Sequence, residues 1–171
     1  FSLLSVQEQN NVLHSSSTVI YKQKETIIKQ GFAASHILFL ESGIVKLNVQ
    51  SRGRITTFKI IEGGSFIGLM CSFVCKTLDF SAIAISDCKV IVLDRDVFES
   101  LIANNGAFAM YVVKLISETT NGIVHNLINL SHKNVNGALA TFLLDIYDLF
   151  KKSRFILPFN RTEIAHSLGY S

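Results

Sequence analysis

Residues 37–61 read ILFLESGIVKLNVQSRGRITTFKII, and this stretch decides the fold of the first half of the chain. Three short runs rich in Ile, Val, Leu and Phe, at 37–41, 43–50 and 54–61, are separated by Ser42 and by Ser51, Arg52 and Gly53. Short runs of β-branched and aromatic residues punctuated by glycine are strand signals. The same signature continues outward, at 17–21 and 26–29 before the stretch and at 80–84 and 89–94 after it. Residues 66–74 read as a turn and one short helix. Strands at this spacing predict an all-β sandwich or roll over the first ~95 residues.

The chain has 171 residues, of which 49% are hydrophobic and 17% charged, with a formal net charge of +3. So apolar a composition raises the question of a membrane span, which needs roughly 20 consecutive apolar residues. Charge-free stretches such as 63–75 and 102–113 are too short and carry Gly, Ser or Asn. The sequence opens at Phe1 without a basic, apolar leader, and we expect a fragment of a longer protein. All three cysteines, Cys71, Cys75 and Cys88, fall in one region, and without a secretion signal they are expected to be reduced thiols in a cytoplasmic protein.

After Asp94 the period becomes helical. Asp94 or Asp96 is placed to cap a short helix through Leu101, and Asn104 or Asn105 to start a long one. On the long helix Ala109, Val112, Ile116, Ile123 and Leu130 recur at spacings of three, four or seven, with Thr119 and Asn126 in the intermediate slots. Between Gly106 and Ser131 the charged residues are Lys114 and Glu118. Such a helix either packs on its own β-domain alone, or packs there through Val113, Val124 and Ile128 and pairs with a second copy through another face. Its length and nearly all-round apolarity favour the second. The expected pairing face is Val112, Ile116, Thr119, Ile123, Leu127 and Leu130.

A third helix is expected from Asn134, with Leu139, Phe142, Leu143, Ile146, Leu149 and Phe150 on one face. Beyond Pro158, Asn160 and Glu163 have the spacing of a capping box for a helix over 161–168, which Gly169 would end. That is the first helix and turn of a helix-turn-helix. Lys133, Lys151, Lys152, Arg154 and Arg161 outnumber Asp145, Asp148 and Glu163 here, a weak positive excess that a solvated helix surface would explain equally well.

Two segments resemble a known family. Ile27, Ile28, Gly31, Ala33, Ala34, the run Ile37 to Leu40, and Gly43 are similar to the cyclic-nucleotide-binding domain signature, from which Phe32 departs. Residues 160–171, NRTEIAHSLGYS, resemble the opening of the helix-turn-helix in the bacterial cyclic-AMP receptor and fumarate-nitrate regulator (CRP/FNR) family. The resemblance implies an α+β chain in three parts: a double-stranded β-helix or jelly-roll sensor over 1–103, a dimerisation helix over 104–132, and over 133–171 the truncated start of a winged helix-turn-helix. It implies a homodimeric transcription regulator whose partners are operator DNA and, further, RNA polymerase, and not an enzyme. Arg161, Thr162 and Ser171 match family positions that contact phosphates, which position a protein without specifying sequence. Operator half-sites lie about one helical turn apart, which a rigid two-fold dimer axis would match. The alternative is a stand-alone effector-binding module whose C-terminal helices contact protein. A recognition-helix sequence beyond Ser171 would discriminate the two.

The effector determinants depart from the family. Its cyclic-AMP-binding members place a Glu after the glycine of the turn and an Arg-Ser pair later. Here Leu69 follows Gly68, and the later pair is Phe80 and Ser81. Each charge-assisted hydrogen bond contributes on the order of 1.5 to 3 kcal/mol, so losing two weakens the nucleotide by roughly 10²- to 10⁴-fold. No cofactor is expected, and cyclic AMP is not expected to act as effector. Phe66, Ile67, Leu69, Met70, Phe73 and Phe80 then either fill the roll outright or surround a small apolar or weakly anionic effector, with Ser81 and the amides of 68–71 as its polar contacts.

Three cysteines fall short of an iron-sulfur ligand set, and a buried structural role is favoured over a redox pair or a metal. His14, His36, His125, His132 and His166 show no metal spacing, which argues against a metal-dependent cupin enzyme. A haem role for His14 or His125 has only the residue type behind it. The Gly63, Gly64 and Gly68 cluster fits a tight turn better than a dinucleotide fingerprint, because no βαβ unit surrounds it.

Overall fold

A computed structural model describes residues 2–69, 73, 77–131, 133–151 and 154–170. In chain order the elements are α1 (Val6–His14), β1 (Ser16–Tyr21), β2 (Thr26–Ile28), β3 (His36–Ser42), β4 (Ile44–Ser51), β5 (Arg54–Glu62), β6 (Ser65–Ile67), β7 (Ser81–Ala84), β8 (Cys88–Asp94), α2 (Arg95–Asn104), α3 (Gly106–Ser131), α4 (Val135–Phe150) and α5 (Arg161–Ser167). Two antiparallel four-stranded sheets, ordered β1-β8-β3-β6 and β2-β7-β4-β5, face each other as a roll, the α+β architecture expected. The β4–β5 hairpin closes where Ser51 pairs Arg54, around Arg52 and Gly53, both at positive φ. Two such residues make the turn that follows the right-handed strand twist. Gly43, at φ +102°, joins β3 to β4 so tightly that a Cβ would lie 2.5 Å from the Asp87 carbonyl oxygen.

Two elements escape the hydrophobic pattern. Residues 6–14, to which the periodicity assigns nothing, form α1, started by a reciprocal Ser5–Glu8 capping box. It turns only Val12 into the core, so no apolar stripe marks it. Strand β6 lies at the start of the segment expected to be a turn and helix. Its three residues pair Leu38, Phe39 and Leu40 of β3 and are too short to show an alternation.

Three apolar clusters hold the chain together. Leu40, Val45, Leu47, Ile61, Phe80 and Val90 fill the roll. Phe98 of α2 centres the second cluster, with Phe66, Phe73 and Phe108 rings within 5.4 to 6.0 Å of its own, and binds α1 and the start of α3 to the roll. In the third, Ile146 of α4 and Phe159 pack with Ile85, Ile44 and Ile60 on the outer face of the second sheet. The helix starts are those the sequence marks. Asp94 accepts from the Asp96 amide at 2.8 Å, Asn105 from Phe108 at 3.0 Å, and Asn134 from Gly137 at 2.9 Å. No helix among the described residues is long and apolar enough to cross a membrane.

Candidate functional site

The cavity begins with an irregularity in β5. The ladder pairs Leu47 with Lys59 and then Asn48 with Thr57, which leaves Phe58 as the extra residue of a bulge. Phe58 reaches the Phe80 ring edge-on, with centroids 6.2 Å apart. Phe80 is buried, and its ring lies over Gly68, where a Cβ would be 2.1 Å from the Phe80 Cζ. The ring therefore occupies the space over the turn, which only a glycine at φ +71° leaves open. A cavity of about 380 Å³ remains, bounded by Phe58, Lys59, Phe66, Gly68, Leu69 and Phe80 from the roll and by Ile116, Thr119 and Ile123 from α3.

Of the residues expected around an effector, Phe66, Gly68, Leu69 and Phe80 line this cavity. Ile67 is turned into the roll core. The Ser81 hydroxyl is off the lining and accepts a hydrogen bond from the Gln30 amide at 3.0 Å. Met70 lies outside the described residues, as do Cys71 and Cys75. Cys88 is buried, and burial pushes its thiol above the ordinary range although the Ile44 and Ser86 carbonyls accept from it. Such a thiol is a poor nucleophile at neutral pH.

Sequence reasoning passes over Phe58, Lys59 and the α3 wall. Lys59 was legible by alternation: it stands two residues before the buried Ile61, on the same face of the strand. Its cross-strand partner, Leu47, is also buried in the roll. Burial pushes the Lys59 ammonium below its usual range.

One face of α3 differs from the heptad expectation. Ile116, Thr119 and Ile123 border the cavity, and Val112 is 3% exposed in the cluster around Phe98. Val113, Val124 and Ile128, expected against the β-domain, are instead 54%, 47% and 48% exposed. The side chains of Leu127 and Leu130 lie outside what is described. A helix apolar nearly all round does not encode which side meets its own sheet. That is decided by where α2 delivers the chain.

On α4, Ile146 is buried and Phe142, Leu149 and Phe150 are half-buried, whereas Leu139 and Leu143 stay exposed. A second cavity of about 620 Å³ lies between β5, α3 and α4, bordered by Glu118, Lys133 and Asp145. Burial raises the Asp145 carboxyl above its ordinary range, against the pull of Lys133.

Helix α5 forms as its capping box dictates: the Glu163 amide donates to Asn160 Oδ1 at 2.8 Å, and the Asn160 amide donates to Glu163 Oε2 at 2.9 Å. It is docked on the roll. Lys46 Nζ of β4 reaches Glu163 Oε1 at 2.8 Å and lies 5.1 Å from the centre of the Phe159 ring. The Thr57 amide donates to Ser167 Oγ at 3.2 Å, and His166 Nδ1 lies 3.2 Å from the Ile55 carbonyl oxygen. Burial works to raise the Glu163 carboxyl, but Lys46 and the Asn160 amide together hold it below its ordinary range. Arg161 and Thr162 are exposed at the start of this helix, and Ser171 lies outside the described residues.

A roll of two four-stranded sheets, a glycine turn under a cavity and a long helix closing that cavity define a class. The chain belongs to the cyclic nucleotide-binding domain family, which matches residues 18–105. Its fold over nearly the whole length is that of CRP/FNR-type regulators. A putative transcriptional regulator of the CRP/FNR family from Eubacterium rectale superposes with a TM-score of 0.83 at 16% identity, covering 98% of this chain and 78% of that one. The c-di-GMP-responsive global regulator CLP of Xanthomonas campestris gives 0.76 at 17% identity over 98% of this chain and 86% of that one. FixK2 of Bradyrhizobium japonicum gives 0.75 at 21% identity, over 91% and 78%. At these identities the likeness is one of fold.

Proposed function

We propose that the chain is a homodimeric DNA-binding transcription regulator of the CRP/FNR type whose sensor has given up the ionic grip on cyclic AMP. The observation that carries this is the Phe80 ring packed over Gly68, beside a cavity whose far wall is the long helix. A ligand there touches the roll and α3 together, so it can favour one placement of α3 over another, which is the condition for controlling a distant head. The test is calorimetric titration with cyclic AMP, for which no binding in the micromolar range is expected. Micromolar affinity would overturn the loss of the nucleotide. Regulation itself is tested by selecting genomic fragments with the full-length protein. Binding should weaken steeply as salt rises, as phosphate contacts require, and failure to enrich any sequence would overturn the regulator.

The pairing face we infer is the outward stripe of α3, Met110, Val113, Val124 and Ile128, covered by the same stripe of a second copy in a two-fold pair. Val124→Glu should convert the dimer to monomer in sedimentation measurements, while Thr119→Glu, placed on the cavity side, should act mainly on effector response. An unchanged sedimentation coefficient for Val124→Glu would overturn this face.

A further inference from the structure

Among the described residues, Lys59 is the one cation lining the 380 Å³ cavity, and its position is set by the strand itself. The bulge at Phe58 and the pairing with Leu47 direct Lys59 to the roll interior, between Phe58 and the α3 residue Thr119. Among the described residues it has no ion pair and no hydrogen bond. Lys59 also borders the adjoining 620 Å³ cavity, whose lining includes Glu118, Asp145 and Lys133, and shares its own with Glu62, but it forms an ion pair with none of these carboxylates. A half-buried ammonium facing an apolar cavity without a counter-charge is unfavourable in the empty protein. The cost is removed by a ligand that supplies the anion.

We propose that the cavity binds a small monocarboxylic acid with an apolar, aromatic-sized body, its carboxylate on Lys59 Nζ and its body against Phe58, Phe80 and Ile116. One cation matches one negative charge. A cyclic dinucleotide would bring a second phosphate with no partner, and a neutral hydrocarbon would leave Lys59 as it stands. Thr119 supplies the second polar group, a hydroxyl able to donate to the same carboxylate. The anionic contact would then lie on the bulged strand β5, and not at the turn or just before β7, where Leu69 and Phe80 stand. This inference rests on the proposed role of the roll as an effector domain.

The test compares three acids, phenylacetate, 1-naphthylacetate and octanoate, each with its neutral amide, by calorimetry on the wild-type protein and on Lys59→Met and Lys59→Arg. At least one acid should bind about ten- to hundred-fold more tightly than its amide, the factor expected of one charge-assisted hydrogen bond. Lys59→Met should erase that preference while leaving the amide's affinity within about twofold, and Lys59→Arg should keep it. Lys59→Met should also raise the thermal midpoint of the empty protein, because it removes an unpaired charge, whereas a purely structural lysine would lower it when lost. Equal affinity for acid and amide, no binding by any of the six probes, or a preference that survives in Lys59→Met overturns the proposal. These outcomes leave the regulator reading standing, since that is decided separately by the cyclic-AMP and genomic-selection experiments.

Discussion

The inner and outer faces of one sheet treat charge in opposite ways. Inside the roll, the cavity is lined by Leu69 and Phe80, and among the described residues Lys59 has no ion pair. On the outside, on β4 beside β7, Lys46 is almost fully buried, yet it is paired with Glu163 and covered by Phe159. The two lysines are on adjacent strands of the same hairpin. A charge with its counter-ion in place fastens the C-terminal helix to the roll; a charge without one is an open position for a ligand. Burial is common to both, and the partner decides what each does.

The largest expected effect comes from removing the ring that fills the turn. Phe80→Ala should cost about 3 to 5 kcal/mol of stability, the usual range for a buried aromatic, measured by denaturant unfolding. It also enlarges the cavity, so an apolar acid too wide for the wild type should gain affinity. A loss under about 1 kcal/mol would mean that Phe80 is not packed as described, and the contrast between a filled turn and an open strand would collapse.

The fastened face should respond next. Lys46→Met strands Glu163, and Glu163→Gln strands Lys46. Removing one member of a fully buried pair costs about 3 to 5 kcal/mol; Glu163 is 23% exposed and keeps its bond from the Asn160 amide, so about 2 kcal/mol is expected. The loss should be local. Hydrogen exchange should quicken at the Thr57 amide, which donates to Ser167, and throughout α5, while β3 and β8 keep their protection. Uniform loss of protection would show that α5 and the roll open as one unit.

These contrasts mark what sequence can and cannot carry. The roll was legible because strands repeat within a few residues of one another, and α5 because Asn160 and Glu163 announce their roles by spacing alone. The cavity was half legible. Leu69 and Phe80 stand at positions the family resemblance picks out and Lys59 alternates with the buried Ile61, whereas Phe58 owes its direction to a bulge, which depends on how β4 and β5 pair. The exposed stripe of α3 was assigned to the wrong side because both sides are apolar. The docking of α5 on β5 could not be read at all: Lys46 and Glu163 are far apart in sequence, and their meeting depends on a tertiary cluster of Ile146 and Phe159 on the outer face.

The smallest effect, and the most diagnostic, is the pH dependence of that docking. Glu163 titrates below its ordinary range when α5 is docked, so the docked state holds fewer protons than the undocked one wherever the free carboxyl begins to protonate. The pair's contribution is therefore complete above the ordinary carboxylate range, near pH 4.3 for glutamate, and is lost as pH falls through the depressed value. Asp145 on α4 works in the other direction: its carboxyl is raised in the fold, so protonation there favours the folded form as pH falls. A global unfolding curve would mix the two. Exchange at Thr57 and in α5 isolates Glu163, and protection there should decline between about pH 5 and 3 in the wild type. In Lys46→Met the decline should be shallower and begin from a lower plateau, because the carboxyl then lacks the cation that depressed it. If the variant keeps the wild-type slope, the Asn160 amide rather than Lys46 sets the Glu163 charge, and the outer face is held by its apolar packing alone.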